Sequence, residues 1–140
     1  MVGNIEEIAA LQVLSHGTTP LAESMVPKLF ADVTLAEASD VVQRTRQVVL
    51  DTAPETVAAA LRGMAIRKDF TQRLGEIDIP ALVICGSDDV ITPAKEMKVM
   101  AGELPLAEYI EVPGAGHMAP LERPAIVNRA IAEFCGTKPR

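Results

Sequence analysis

Residues 79–117 constrain the fold of this chain more than any other stretch. Two short apolar runs, ALVIC at 81–85 and YIEV at 109–112, flank a segment rich in Lys, Glu, Met and Ala. A continuous apolar run bounded by turn residues fits a strand buried on both faces of a parallel sheet, because a half-buried strand would alternate. Pro80 suits the first position of such a strand, where its missing N–H costs little. A helix over about 93–102 follows, started by Thr92-Pro93 and ended at Gly102, and a second strand is expected over 107–112. A closing helix over about 124–135 carries Ile126, Val127, Ile131 and Phe134, with Gly136 as its stop. Strand–helix–strand with connections this short predicts a right-handed parallel βαβ unit. Two strands are too few for a stable sheet with open edges, so further strands are expected from elsewhere.

Residues 1–76 read as helices. Asn4 is placed to cap a helix over 4–16, with Glu6 and Glu7 in its first turn and Gly17 just past His16. His16, near that C-terminus, is a favourable dipole partner. Thr18-Thr19-Pro20 starts a second helix through Phe30, and Pro27 inside it predicts a kink or split. Thr34-Leu35-Ala36-Glu37 is a capping-box pattern, so a helix is expected over about 35–51. Pro54 opens another, over about 54–66, with Val57, Ala58, Leu61, Met64 and Ala65 on one face. A short turn or helix at 70–74 leads to Gly75. The expected organisation is a helical region over 1–76, forming a small bundle or a lid, and a sheet-bearing region over 77–140.

Composition narrows the function classes. The 140 residues are one domain's worth, and 49% hydrophobic residues argue for a packed core over disorder. A net charge of −6 with no long run of like charge disfavours nucleic acid and anionic membranes as partners. No run approaches the roughly 20 apolar residues of a membrane span, and the first residues lack the basic start of a signal peptide, so a cytosolic location is expected. Cys85 ends a strand and Cys135 ends a helix, fifty residues apart. They read as reduced thiols, with no Cys/His spacing that suggests a metal.

The chemistry sits at the ends of the two strands. In an open parallel sheet, ligands bind beyond the carboxyl ends of the strands. Asp89 (with Asp88 beside it) follows the first strand by four residues, and His117 follows the second by five. With adjacent strands, a carboxylate can accept from the imidazole N–H and fix its tautomer, freeing the other nitrogen to take a proton from a hydroxyl nucleophile. Gly114 and Gly116 let the loop before His117 turn sharply. Either Asp taken alone reads more simply as ordinary capping of the following helix.

Taken together, IPALVICGSDDVITP and EVPGAGHMAPLERPAIVNRAIAEF resemble the C-terminal portion of the α/β-hydrolase fold family. That family has a strand ending in G-x-x-D-x-x-x-P, here Gly86, Asp89 and Pro93, and a G-x-G-H turn, here Gly114, Gly116 and His117. The tail with Pro120, Glu122 and Pro124 is also similar, and so is the order of acid before histidine. The helical part resembles the lid of members that include 3-oxoadipate enol-lactonases, esterases and cofactor-free haloperoxidases. The resemblance implies a helical cap followed by a partial βαβα sheet, with Asp89 as triad acid and His117 as triad base. It also implies Met118 and Val90 beside a small ester or lactone substrate, and no cofactor. The family's nucleophile lies in G-x-S-x-G. None of Ser15, Ser24, Ser39 and Ser87 has that frame, and Ser87 lacks the strand-to-helix elbow. The chain is therefore expected to be inactive alone, completed by an N-terminal half on a partner chain. The alternative is a non-catalytic remnant, self-associating as a homo-oligomer through its strand edge and cap underside.

Overall fold

The computed structural model describes residues 5–37 and 40–136. Helix α1 (Ile5–His16) closes where Gly17, at φ 76°, donates its N–H to the Val13 carbonyl at 2.9 Å. Glycine takes that left-handed turn without the clash a Cβ would bring. The expected cap, Asn4, lies outside the described residues. Helix α2 (Thr19–Leu29) has a proline in its first turn and Pro27 in its last. Pro27 does not split the helix, because only two residues remain before it ends at Leu29. Thr18, just before α2, donates its hydroxyl to the Leu50 carbonyl at 3.3 Å and pins this junction to the chain 32 residues on.

The helix expected over 35–51 is two helices, α3 (Asp32–Ala36) and α4 (Asp40–Asp51). Thr34 does not open a helix. It lies inside α3, buried, and its hydroxyl donates to Glu122 Oε2 at 2.6 Å, while the same oxygen accepts the Ala31 N–H at 2.9 Å. The capping-box pattern was answered by a partner 88 residues away instead of by Glu37. Helix α5 (Pro54–Ala65) packs on α1, and α2 packs on α4 through Val26, Phe30 and Val42. A 3-10 segment, Thr71–Glu76, leads to the sheet.

Strand β1 (Ala81–Gly86), helix α6 (Ala94–Glu103) and strand β2 (Ala107–Val112) form the expected parallel unit, in register from Ala81 beside Ala107 to Gly86 beside Val112. Side chains alternate between faces, so Ile84, Ile110 and Val112 share one face. That face packs against Ala115, Ala119 and Val127 of the segment that carries α7 (Ala119–Glu122) and α8 (Pro124–Phe134). On the other face, Tyr109 donates its hydroxyl to the Ala94 carbonyl at the start of α6, at 3.1 Å. Helix α7 had no counterpart in the expected elements.

Among the described residues the sheet has these two strands, and the far edge of β1 has no strand beside it. Burial on both faces of β1 is only partly realised: Val83, Cys85 and Gly86 are buried, but Leu82 and Ile84 are half-exposed. No helix among the described residues is long and apolar enough to cross a membrane.

Candidate active site

Each strand hands the chain to a turn at its carboxyl end, and the two turns lock together. Past β1, the Ser87 N–H donates to the Val112 carbonyl and the Asp88 N–H to the Ala115 carbonyl, both at 2.9 Å. Ser87 Oγ accepts the Gly114 N–H at 2.9 Å and donates to Asp88 Oδ1 at 2.9 Å. Gly114 turns at φ 63°, a conformation that favours glycine. Gly86 packs directly on the backbone of residues 115–116: a Cβ there would overlap the carbonyl oxygens of Ala115 and Gly116.

This clasp brings Asp89 and His117 together. Asp89 is buried, 7% exposed. Its Oδ1 accepts the N–H groups of Ile91 and Thr92 at 2.8 and 2.9 Å. Its Oδ2 accepts the Thr92 hydroxyl at 2.7 Å and His117 Nδ1 at 2.9 Å. An ionised carboxylate only accepts, so the Asp89 contact places the neutral ring's proton on Nδ1. Nε2 then has its lone pair free and no partner among the described residues. The His117 side chain is 36% exposed while that of Asp89 is 4% exposed, so the ring meets solvent and its anchor does not.

Burial works to raise the Asp89 pKa, but it is outweighed. Hydrogen bonds from the Thr92 hydroxyl and N–H, from His117 and from the Ile91 N–H hold it below the ordinary 3.8. A depressed folded-state pKa stabilises the fold fully above the unfolded value and ceases to do so as pH falls through the folded value. In urea unfolding followed from neutral pH downward, the stability gap between wild type and Asp89→Asn is therefore expected to hold steady down to about pH 3.8, then close at more acid pH. A gap that closes well above that point would show that Asp89 is not held ionised by these partners.

The remaining candidates separate clearly. Asp88 is exposed and bonds to Ser87 and not to the imidazole. Val90, 66% exposed, stands on the turn beside Asp89. Met118 follows His117 but packs against Val26, Phe30 and Val42. Ser15 and Ser24 donate to helix carbonyls of Leu11 and Leu21, and Ser39 lies outside the described residues. His16 is exposed, its Nδ1 3.2 Å from the Gln12 carbonyl. Cys85 and Cys135 are free thiols, and burial, then the carboxylates of Asp89 and Glu111, push the Cys85 pKa up, which keeps it a thiol. Among the described residues no group of three His, Cys, Asp or Glu is placed to hold a metal ion.

Two residues with a part in the site went unrecognised in the sequence. Thr92 stands at a helix start in the sequence, and in the structure it donates twice to Asp89. Glu122 stands in the tail after His117, and in the structure it holds the loop beside His117. Its one sequence signal is an acidic residue placed between two prolines, Pro120 and Pro124.

Known proteins resemble the chain in sequence and in fold. A family model described as the alpha/beta hydrolase fold matches residues 12–124. The chain is 30% identical over 112 residues to the 3-oxoadipate enol-lactonase 1 of Acinetobacter baylyi, covering 80% of this chain and 41% of that protein. A thermophilic esterase from Thermogutta terrifontis superposes with a TM-score of 0.90 at 38% identity, over 93% of this chain and 48% of that one. The enol-lactonase of Burkholderia xenovorans superposes at 0.86 with 23% identity, over 94% and 50%, a likeness of fold alone. The chain thus spans about half the length of these proteins.

Proposed function

The chain belongs to the α/β-hydrolase fold family, and on that premise we propose that it supplies the acid and base of a cytosolic serine hydrolase whose nucleophile comes from residues outside these 140. The observation that carries the reading is the Asp89–His117 pair, 2.9 Å apart with Nε2 open. His117 Nε2 takes the proton of a serine hydroxyl as its oxygen bonds to the substrate carbonyl carbon. The same proton passes to the departing alkoxide as the carbon–oxygen bond breaks, leaving an acyl-enzyme. A water then repeats the cycle and releases the acid. Asp89 stays ionised throughout, holding the ring and stabilising the imidazolium. No cofactor enters this sequence.

The substrate class, a small ester or lactone, is supported by what the matched proteins are called, an esterase and enol-lactonases. Residues 1–76 would act as a lid and 77–140 as the last part of the core. Val90 stands exposed near the pair, where a substrate would lie, and Met118 would back the wall behind His117.

The reading is tested by producing the chain together with a segment that ends in strand–G-x-S-x-G–helix, and assaying p-nitrophenyl acetate. Turnover is expected only when both parts are present. Equal turnover by the chain alone would sink the proposal. A second reading, a non-catalytic remnant that pairs with its own copy, is favoured by the open edge of β1. Light scattering separates the two: that reading requires a dimer of the chain that the added segment fails to displace.

A further inference from the structure

Glu122 is a buried carboxylate that the proton-transfer sequence does not use. It is 8% exposed and closes the short helix α7. Its Oε1 accepts the Gly116 N–H at 2.7 Å. Its Oε2 accepts the Ala31 N–H at 2.9 Å and the Thr34 hydroxyl at 2.6 Å. A buried charge left unbonded would be strongly unfavourable, so three short hydrogen bonds to one carboxylate mark a built arrangement.

The placement of those partners is the point. Gly116 immediately precedes His117. Met118, immediately after it, donates its N–H to the Leu29 carbonyl at 2.9 Å. The base is therefore held on both sides, and both anchors lead to residues 29–34 of the helical region. The contact is close: a Cβ on Gly116 would stand 2.7 Å from Ala31 N and 2.7 Å from the Phe30 carbonyl carbon. Gly86 presses on the opposite side of the same loop. The His117 loop lies between β1 and the α2–α3 junction, and Glu122 fastens it to the junction.

We propose that Glu122 is a positioning residue for His117, through which residues 29–34 of the helical region set the place of the imidazole. Anything that moves the α2–α3 junction moves the Gly116 N–H with it, and so the ring. This inference rests on His117 being the base, as proposed above. It is therefore tested with a readout that needs no turnover alongside one that does.

The first readout is the ring tautomer of His117, from nitrogen-15 NMR of the intact protein. There are only two histidines, and His117→Ala assigns the signals. Wild type is expected to show one neutral form with the proton on Nδ1. Glu122→Gln keeps the shape but offers one acceptor where the carboxylate had two. It is expected to give a mixture of the two tautomers. In the completed enzyme kcat is expected to fall about tenfold or more with KM nearly unchanged, as for a small displacement of a reacting group. Thr34→Val removes a single bond and is expected to shift both readouts in the same direction by less. A Glu122→Gln protein that melts earlier but keeps the single tautomer and wild-type kcat would overturn the proposal, leaving Glu122 a purely structural residue. Should Glu122→Gln not fold, an unchanged tautomer in Thr34→Val overturns it equally. If His117 were not the base, His117→Ala would keep its turnover while Glu122→Gln still showed the tautomer shift, so the two failures are distinguishable.

Discussion

In the enzyme completed by its nucleophile, Asp89→Asn is expected to lower kcat about 10⁴-fold, the scale of this exchange in hydroxyl–imidazole–carboxylate relays. The asparagine oxygen can keep the N–H groups of Ile91 and Thr92, which fold the turn after β1. Its NH2 group then replaces Oδ2 opposite His117 Nδ1. A donor facing Nδ1 demands a lone pair there, so the ring's proton moves to Nε2. The nitrogen that should take the serine proton is then already protonated. The Thr92 hydroxyl, which now donates to Oδ2, can turn and accept from the amide instead, so the cost to folding is on the order of one hydrogen bond, about 1 kcal/mol. Steady-state assay of p-nitrophenyl acetate beside a thermal melt checks both halves. A variant that melts normally and turns over within about tenfold of wild type would remove Asp89 from the mechanism.

Gly86→Ala is expected to be the most damaging single methyl group in the chain. Its Cβ would overlap the carbonyl oxygens of Ala115 and Gly116, and both obstacles are backbone. Overpacked sites commonly lose about 1–3 kcal/mol, mostly by displacing side chains. Here only the strand or the loop can move, so a loss of about 3 kcal/mol or more is expected, out of a typical total of about 5–15. For a chain of this size that is a fall of about 10 °C in Tm. The loop that must yield carries His117, so the tautomer and the turnover should fail together with stability. Gly63→Ala is the control. Gly63 lies in α5 with nothing within 4 Å of its added Cβ, and an alanine in a helix interior is favoured over glycine by about 1 kcal/mol. It is expected to raise Tm. A Gly86→Ala protein as stable as wild type would mean that the strand and the loop do not press together as described.

What was legible in the sequence was what short-range chemistry decides. The strands at 81–86 and 107–112, the prolines at helix starts and Gly17 as a helix stop all follow from residues close to one another in sequence, and the pairing of Asp89 with His117, 28 residues apart, follows from the two adjacent strands that each of them ends. What was not legible depended on distant partners. Thr34 and Glu37 carry the spacing of a capping box, yet the Thr34 hydroxyl goes to Glu122, 88 residues on, so the expected single helix is two. Glu122 itself looked like a tail residue because none of its three donors lies on its own helix. The packing of Met118 against Val26, Phe30 and Val42 likewise depends on residues far away in sequence, a surface that no local pattern announces.

The central claim is that this chain holds the base and its anchor while the nucleophile lies elsewhere. The most direct measurement is the intact mass of the purified 140-residue chain after reaction with a serine-directed fluorophosphonate. The expected result is the unmodified mass, since Ser87 donates to Asp88 while Ser15 and Ser24 donate to helix carbonyls. A stoichiometric adduct on Ser15, Ser24, Ser39 or Ser87 that disappears in His117→Ala would contradict the account, because the chain would then carry a nucleophile of its own.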